Sequence, residues 1–312
     1  MKIRNIFIIL IISALTIFFT GCSKNVKITY DNSTEYEAGN RTINKGISRL
    51  DVDWYSGKVV IQHHDKNTII VEENNKGLKL DMLKVQTWVY EGTLSVKFAK
   101  SGVKTNTFKR SNKILYITLP SGKELYEVRV KTESASLEVD GVNSDKIIVS
   151  SSSGDVKLNS ISTHYLNVST KSGNINLAKN HGSSSISLSS ESGNITASAQ
   201  AVVSFNVYTT SGNINVTGEK VTNYNAVSDS GKIESKFFVL PYNAKIQSNS
   251  GDVELLFRKY YDFNVKVTTD SGKFNSDFDM KKDGDTYLYG TSTIVIKIET
   301  TSGNITINEF DE

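Results

Sequence analysis

Residues 172–214 read SGNINLAKNHGSSSISLSSESGNITASAQAVVSFNVYTTSGNI. Within this stretch the tetrapeptide Ser-Gly-Asn-Ile occurs three times, at steps of 20 and 19 residues. Ser-Gly pairs continue on both sides of it, with their glycines at Gly154, Gly173, Gly193, Gly212, Gly231, Gly251, Gly272 and Gly303. The first six steps are 19 to 21 residues long. A period of this length is typical of a solenoid, in which each coil buries its apolar face against its neighbours.

The residues around each glycine repeat their character from unit to unit. In the unit of Gly193, for example, Ile186 and Leu188 precede the glycine by seven and five residues, and Ile195 follows it by two. The alternation of apolar residues has period two on each side but slips by one residue at Ser-Gly, which predicts two strands meeting at a corner. With a related unit at Ala135, the pattern predicts an all-β fold, a parallel β-solenoid with coils of about 19–21 residues.

Polar residues around the corner form columns of their own. Serine or threonine stands three residues before every glycine, which predicts a ladder of hydroxyl groups bonding to the coil above or below. We expect glycine itself to supply a positive φ at the corner. The Asn and Asp residues that follow glycine are explained by local turn chemistry, with a loosely bound Ca²⁺ as the alternative.

Two regions interrupt the regular pattern. The last step, from Gly272 to Gly303, is 31 residues long and contains Asp283-Gly284, which predicts a hairpin insertion near 279–292. Residues 46–120 are less regular, although Gly57 opens a repeat-like unit in which Trp54 takes the hydroxyl position. We interpret 46–120 as a β cap with the first coils, covering an exposed strand edge, and 121–312 as the repeat region.

The N-terminus has the pattern of an exported protein. Lys2 and Arg4 precede an apolar run at 6–19, and Thr20-Gly21-Cys22 ends it. This predicts a lipoprotein signal peptide at 1–21, acylation of Cys22 with palmitate-like chains, and a membrane-anchored protein on the extracytoplasmic face. The alternative is an incidental thiol in a cleaved signal peptide. Residues 22–45 are polar and are predicted to be a tether.

The repeat register also resembles a known family. Residues 114–120 (ILYITLP) before the first regular coil, the repeated Ser-Gly-Asn-Ile, and Tyr289-Gly290 before 294–307 are similar to the DUF4097 family of bacterial putative adhesins, which is related in style to GIN head domains. The resemblance covers roughly 45–312. It implies a surface or envelope protein, in some members linked to envelope stress, and it implies no catalytic residues.

The columns of side chains that point outward from the coils suggest two functions. Lys245, Lys266 and Lys297 occupy the column six residues before glycine in the last three coils, which predicts a cationic stripe for an anionic wall polymer or membrane phosphates. Solvated lysines that discourage aggregation are the alternative. In the second function, Glu234 and Glu254 on adjacent coils would serve a polysaccharide-acting β-helix enzyme.

The sequence favours the first of these functions, a non-enzymatic surface protein. We predict an interaction scaffold whose partners are the membrane, through Cys22, and a cell-wall polymer or surface protein. Cleavage after residue 21 would lower the formal net charge from +3 to +1, and nothing in the composition indicates nucleic-acid binding. No cofactor or metal motif is recognised, because adjacent His63 and His64 point to opposite faces of a strand.

Overall fold

The computed structural model of the chain describes residues 27–74, 80–105 and 113–311. Its regular structure is β-strand throughout these ranges, apart from one turn of 3-10 helix at Asp81–Leu83. The strands wind into stacked coils that pair in parallel, so the predicted β-solenoid is confirmed. The predicted signal peptide at 1–21 and Cys22 lie outside the described residues.

The strands fall into three groups along the chain. The cap and first coils contain β1 (Glu37–Ala38), β2 (Arg41–Ile43), β3 (Arg49–Trp54), β4 (Lys58–His64), β5 (Ile69–Asn74), β6 (Gln86–Tyr90), β7 (Thr93–Lys97) and β8 (Ile114–Pro120). The regular repeats contain β9 (Glu124–Thr132), β10 (Ser136–Asp140), β11 (Asn143–Ser151), β12 (Val156–Asn159), β13 (Ser162–Thr170), β14 (Ile175–Asn180), β15 (Ser183–Ser190), β16 (Ile195–Thr209), β17 (Ile214–Ser228), β18 (Ile233–Val239), β19 (Asn243–Ser248), β20 (Val253–Phe257), β21 (Phe263–Thr269) and β22 (Phe274–Ser276). The chain finishes with β23 (Lys281–Asp283), β24 (Thr286–Tyr289), β25 (Val295–Thr300) and β26 (Ile305–Glu309).

Two parallel faces enclose the core of the rod. Face A, made of the strands before each corner, runs in space β7, β3, β9, β11, β13, β15, β16, β17, β19, β25 and β21. Face B, made of the strands after each corner, runs β8, β4, β10, β12, β14, β16, β17, β18, β20, β26 and β22. Strands β16 and β17 belong to both faces, because each continues from face B of one coil into face A of the next.

Alternate side chains of both faces fill the interior, as the period-two pattern predicts. The core is aliphatic in the middle of the rod and becomes aromatic towards its C-terminal end. There the ring centroids of Tyr224 and Phe237 are 4.9 Å apart, and those of Phe257 and Phe263 are 5.1 Å apart. The buried Tyr224 hydroxyl bonds Ser235 Oγ at 2.8 Å, and burial raises the pKa of Tyr224.

The corner glycines are required by close approach between coils, and the expectation of a positive φ was wrong. None of the eight Ser-Gly glycines of the regular repeats has a positive φ, whereas Gly57, at the corner of the first unit, has φ 90°. A Cβ on Gly154 would instead lie 1.8 Å from the carbonyl oxygen of Ala135, and one on Gly193 would lie 1.9 Å from that of Gly173. Each of these eight corners therefore packs its Cα directly against a carbonyl group of the adjacent coil, whereas alanine fits at 135, the corner stacked on Gly57.

The Ser and Thr hydroxyl groups three residues before glycine bond mainly within their own corner, whereas the sequence predicted bonds between coils. Ser190 Oγ accepts the amide N–H of Gly193 at 2.8 Å, and Thr209 Oγ1 accepts that of Gly212 at 3.0 Å. Contact with a neighbouring coil is secondary, as in the bond from Ser190 Oγ to Gly173 O at 3.3 Å. The buried glycine amide is thus satisfied within its own coil, independently of the coils stacked on it.

The Asn and Asp residues after glycine connect the coils. Asn174 Oδ1 accepts the amide N–H of Asn194 at 2.9 Å, and Asn194 Oδ1 accepts that of Asn213 at the same distance. Asp155 and Asp252 receive the corresponding amides of the coils stacked on them at 2.8 Å. These side chains act between coils, so local turn chemistry did not explain them.

The coils at both ends of the rod are not stacked in sequence order. At the C-terminal end, β25 and β26 insert between the coil of β19 and β20 and the coil of β21 and β22. At the N-terminal end, β3 and β4 lie between β7 and β8 on the outside and β9 and β10 on the inside. Coils therefore stack in sequence order only between the two ends.

Antiparallel strands cover the outermost coils. At the N-terminal end β6 pairs with β7 and β1 with β6, while β5 pairs with β8 and β2 with β5. At the other end the hairpin of β23 and β24, in the segment predicted to be a hairpin insertion, pairs with β21. Strands β1 and β2 come from the segment predicted to be a tether, and Ile43 in β2 is buried, so the packed structure begins before residue 46.

A buried ion pair closes the N-terminal end of the core. Lys113, whose side chain is fully buried, places Nζ 2.7 Å from Glu73 Oε2 and donates to the carbonyl oxygens of Leu83, at 2.7 Å, and Phe98. The ammonium group also lies over the rings of Trp54 and Phe98, 4.9 and 4.5 Å from their centroids. Desolvation by burial lowers the pKa of Lys113.

Candidate polymer-binding face

The three lysines of the predicted stripe lie side by side on face A near its C-terminal end. Lys245 is paired in register with Lys297, and Lys297 with Lys266, so the lysine that comes last in the sequence stands in the middle. All three side chains are exposed. Adjacent parallel strands put such residues about 4.8 Å apart at the backbone, so the lysines form a continuous row.

The charges of the stripe are not equally available. Lys266 Nζ lies 2.9 Å from Asp285 Oδ2, in the turn of the β23–β24 hairpin, and this contact lowers the pKa of Asp285. Among the described residues, Lys245 and Lys297 have no ion pair. The free positive charge of the stripe is therefore concentrated on Lys245 and Lys297, on the two strands farther from the hairpin.

Columns of amide side chains continue from the lysines along face A. Asn206 and Asn225 occupy the same column as Lys245 on the two preceding coils. The next column outward carries Asn223 and Asn243, where Asn243 Nδ2 donates to Asn223 Oδ1 at 2.8 Å. A shallow depression of about 190 Å³ is lined by these amides, by Lys245 and Lys297, and by Ser204 and Val295.

A comparison of sequences with protein-family models decides the family. The model described as Toastrack DUF4097 matches residues 47–308. The chain belongs to the Toastrack DUF4097 family. The match spans the first coils, the regular repeats and the returning last coil, which are the parts that build the rod. No curated protein matches the chain.

Three solved structures are similar to most of this chain. A protein named as a putative adhesin from Parabacteroides merdae has 13% identity and a TM-score of 0.48, covering 91% of this chain and 99% of its own. A protein named as a putative lipid binding protein from Parabacteroides distasonis has 15% identity and a TM-score of 0.48, covering 87% and 96%. A third, named as a putative adhesin from Bacteroides fragilis, has 15% identity and a TM-score of 0.38, covering 88% and 97%.

In this Toastrack rod the two candidate catalytic acids share one lysine. Glu234 and Glu254 are paired in register on β18 and β20 of face B. Lys232 Nζ lies 2.6 Å from Glu254 Oε2 and 2.9 Å from Glu234 Oε2, and both contacts raise the pKa of Lys232. The shared ammonium group offsets one of the two negative charges, and both carboxylates also accept side-chain amides, Glu234 from Asn215 and Glu254 from Asn308.

The histidines lie apart on the surface of the Toastrack rod. His64 Nε2 bonds Thr68 O at 2.6 Å, His164 Nδ1 lies 3.3 Å from Asp145, and His181 Nδ1 lies 2.6 Å from Gln200. Across residues 27–74, 80–105 and 113–311, no group of three or more His, Cys, Asp and Glu side chains is placed to hold a metal ion. Within the same ranges, no helix has the length and apolar character needed to cross a bilayer.

The amide columns were missed at the sequence level. The signal was available, since Asn206, Asn225 and Lys245 occur at the same offset from their glycines, as do Asn223 and Asn243. What the sequence did not reveal is that the inserted coil places Lys297, and not Lys266, next to Lys245.

Proposed function

We propose that this Toastrack protein is a non-enzymatic, membrane-anchored rod of the cell envelope that binds an anionic wall polymer along face A. The observation that carries the proposal is the juxtaposition of Lys245 and Lys297 with the columns of asparagine amides. The wall polymer is preferred to a protein partner because the surface is a long polar ladder with a repeat, which suits a repeating chain. Cys22 is the proposed site of acylation and of attachment to the extracytoplasmic face of the membrane.

The chemistry of the face suits a phosphate-bearing or carboxylate-bearing glycopolymer. Lysines on neighbouring strands, about 4.8 Å apart along the rod axis, attract a chain of negative charges, and the attraction extends over a Debye length of about 10 Å at 0.1 M salt. The amides of Asn206, Asn225 and Asn243 provide both donors and acceptors for sugar hydroxyl groups. Since neighbouring coils repeat the same groups, several repeats of the polymer are bound at once, which raises the avidity.

Replacing Lys245, Lys266 and Lys297 together by glutamine is expected to weaken binding to purified anionic cell walls at least about tenfold at low salt, because the attraction depends on these charges. The measurement is a co-sedimentation isotherm at two ionic strengths, with circular dichroism to show that the strands are retained. The matched control replaces Lys179, Lys220 and Lys273 by glutamine, three exposed lysines that lie off face A, which removes the same charge elsewhere. Equal binding by the stripe variant and the control would contradict the proposal.

Acylation of Cys22 is tested separately in cells. The Cys22→Ala variant is expected to lose all labelling by a fatty-acid analogue and to leave the membrane fraction, because two acyl chains are needed for stable anchoring. The unchanged protein labelled in parallel serves as the reference. Labelling that persists in the variant would show that the anchor is elsewhere or absent.

A further inference from the structure

The first described residues of the chain are bound to the cap and do not form a free tether. Ile28 exchanges backbone hydrogen bonds with Gly102 and Val103 at 2.7 and 2.9 Å. The hydroxyl group of Tyr30 donates to Ala99 O at 3.0 Å and accepts the amide N–H of Ser101 at 3.1 Å, and burial raises its pKa to about 12. The packed part of the protein therefore starts almost at Lys27, well before the end of the tether predicted at 22–45.

The length of chain before this point limits how far the rod stands from its proposed anchor. Covalent geometry allows at most about 3.6 Å per residue, so Cys22 and Lys27 are separated by no more than about 18 Å. An anchor at Cys22 thus holds this end of the rod close to the headgroups. The predicted tether could not keep the rod away from the bilayer.

The segments 80–84 and 98–105 cover this end of the core. Both are fixed by Lys113, which donates to the carbonyl oxygens of Leu83 and Phe98 directly over the buried Trp54. Leu83 and Phe98 point inward and are buried. Ala99, Val103 and Thr105 are buried as well, so only the exposed side chains of the two segments form the outer surface of the end that lies next to residue 27.

That outer surface combines exposed apolar side chains with lysines. Leu80 is 59% and Met82 46% exposed, and Lys27, Lys100 and Lys104 are all exposed. These five residues, here called the end patch, are joined by the bond from Lys100 N to Met82 O at 3.0 Å and by the backbone bridge between Lys27 and Lys104.

The acid nearest to the apolar part of the end patch is already neutralised. Asp81 lies between Leu80 and Met82 in the sequence, and its Oδ1 is 2.7 Å from Lys84 Nζ. This contact lowers the pKa of Asp81. The lysines of the end patch have no ion pair among the described residues.

We propose that the end patch rests on the anionic headgroup surface of the membrane, so that the rod is held by its N-terminal end with face A extending away from the bilayer. The inference rests on the proposed function, because the anchor at Cys22 decides which end faces the membrane. Lysines near an anionic leaflet attract phosphate groups, while Leu80 and Met82 enter the boundary between headgroups and acyl chains.

The test uses the chain from residue 22 with Cys22→Ser, which retains β1 to β26 and their pairings and so the whole rod. The probe is vesicles of phosphatidylglycerol and phosphatidylcholine, compared with vesicles of phosphatidylcholine alone. Each lysine near an anionic surface contributes roughly fivefold, so replacing Lys27, Lys100 and Lys104 by glutamine is expected to weaken binding to the anionic vesicles about a hundredfold at low salt. Leu80→Ser with Met82→Ser is expected to weaken it further.

Two controls separate this inference from the proposed function. The variant with glutamine at Lys179, Lys220 and Lys273 is expected to leave vesicle binding unchanged. The variant with glutamine at Lys245, Lys266 and Lys297, which tests the polymer face, is expected to leave it unchanged as well. Binding that is equal for the end-patch variant and the controls, or the same on neutral and anionic vesicles, overturns the inference. The inference is also overturned if the protein binds a soluble anionic polymer such as dextran sulfate but does not bind anionic vesicles. That result would not bear on acylation of Cys22, which the labelling experiment tests.

Discussion

Gly212→Ala is expected to lower the free energy of unfolding by about 3 kcal/mol or more, or to prevent folding altogether. The new Cβ would lie 2.1 Å from the carbonyl oxygen of Gly193 and 2.6 Å from its carbonyl carbon. Both atoms belong to the backbone of a coil that is itself bonded on both sides, so they cannot move without breaking hydrogen bonds between coils. The measurement is urea unfolding followed by circular dichroism.

Gly46→Ala is the matched control for this substitution. Gly46 has an ordinary φ, and a Cβ built there meets nothing within 4 Å. The control is expected to change stability by less than about 1 kcal/mol, since alanine adds no contact and only restricts the unfolded chain. A loss at Gly212 no larger than the change at Gly46 would refute close approach as the reason for the repeated glycine.

Lys113→Met is expected to lower the free energy of unfolding by about 3–5 kcal/mol, because it leaves a buried carboxylate without its partner. Glu73 has only 6% of its side chain exposed, and its Oε2 is 2.7 Å from Lys113 Nζ. The substitution also removes the donor to the carbonyl oxygens of Leu83 and Phe98, which close the end of the core.

A double-mutant cycle distinguishes the ion pair from simple packing. Glu73→Gln keeps an acceptor for the amide N–H of Val85, which Glu73 now binds at 2.9 Å, but removes the charge. The double variant Lys113→Met with Glu73→Gln is expected to be clearly more stable than the sum of the two single losses predicts, since no buried charge remains unpaired. Strictly additive losses would show that the pair is not coupled.

The insertion of the first and last coils between other coils protects both ends of the rod. A terminal coil at the end of a solenoid would have one unpaired edge and a free chain end, and it would fray and template aggregation. Here the first coil, β3 and β4, and the last coil, β25 and β26, are each paired on both sides. The outermost coils are internal in the sequence, so chain connections hold them from both directions, and antiparallel strands cover them.

The insertion of the last coil also decides which lysines are neighbours on the candidate binding face. Because β25 lies directly on β19, Lys297 meets Lys245 and the valine at 295 lines the depression beside Asn243. In sequence order Lys266 would have taken that place, and it is the lysine whose charge is paired with Asp285. The insertion of the last coil therefore puts the available charge next to the amides.

The sequence alone determined the coil. The residues that point inward are predicted by the apolar columns around each glycine and by the one-residue slip of the alternation at Ser-Gly. The burial of Ile186, Leu188 and Ile195 confirms this prediction. Such a pattern is readable because it depends only on neighbours within about 20 residues. Tertiary structure alone decided why glycine is required, which coil lies next to which, and that residues 27–45 belong to the cap. The physical reason is that every coil offers nearly the same ladder of backbone groups and apolar side chains to any other coil. The sequence of one coil therefore determines its shape but does not determine which coil stacks on it.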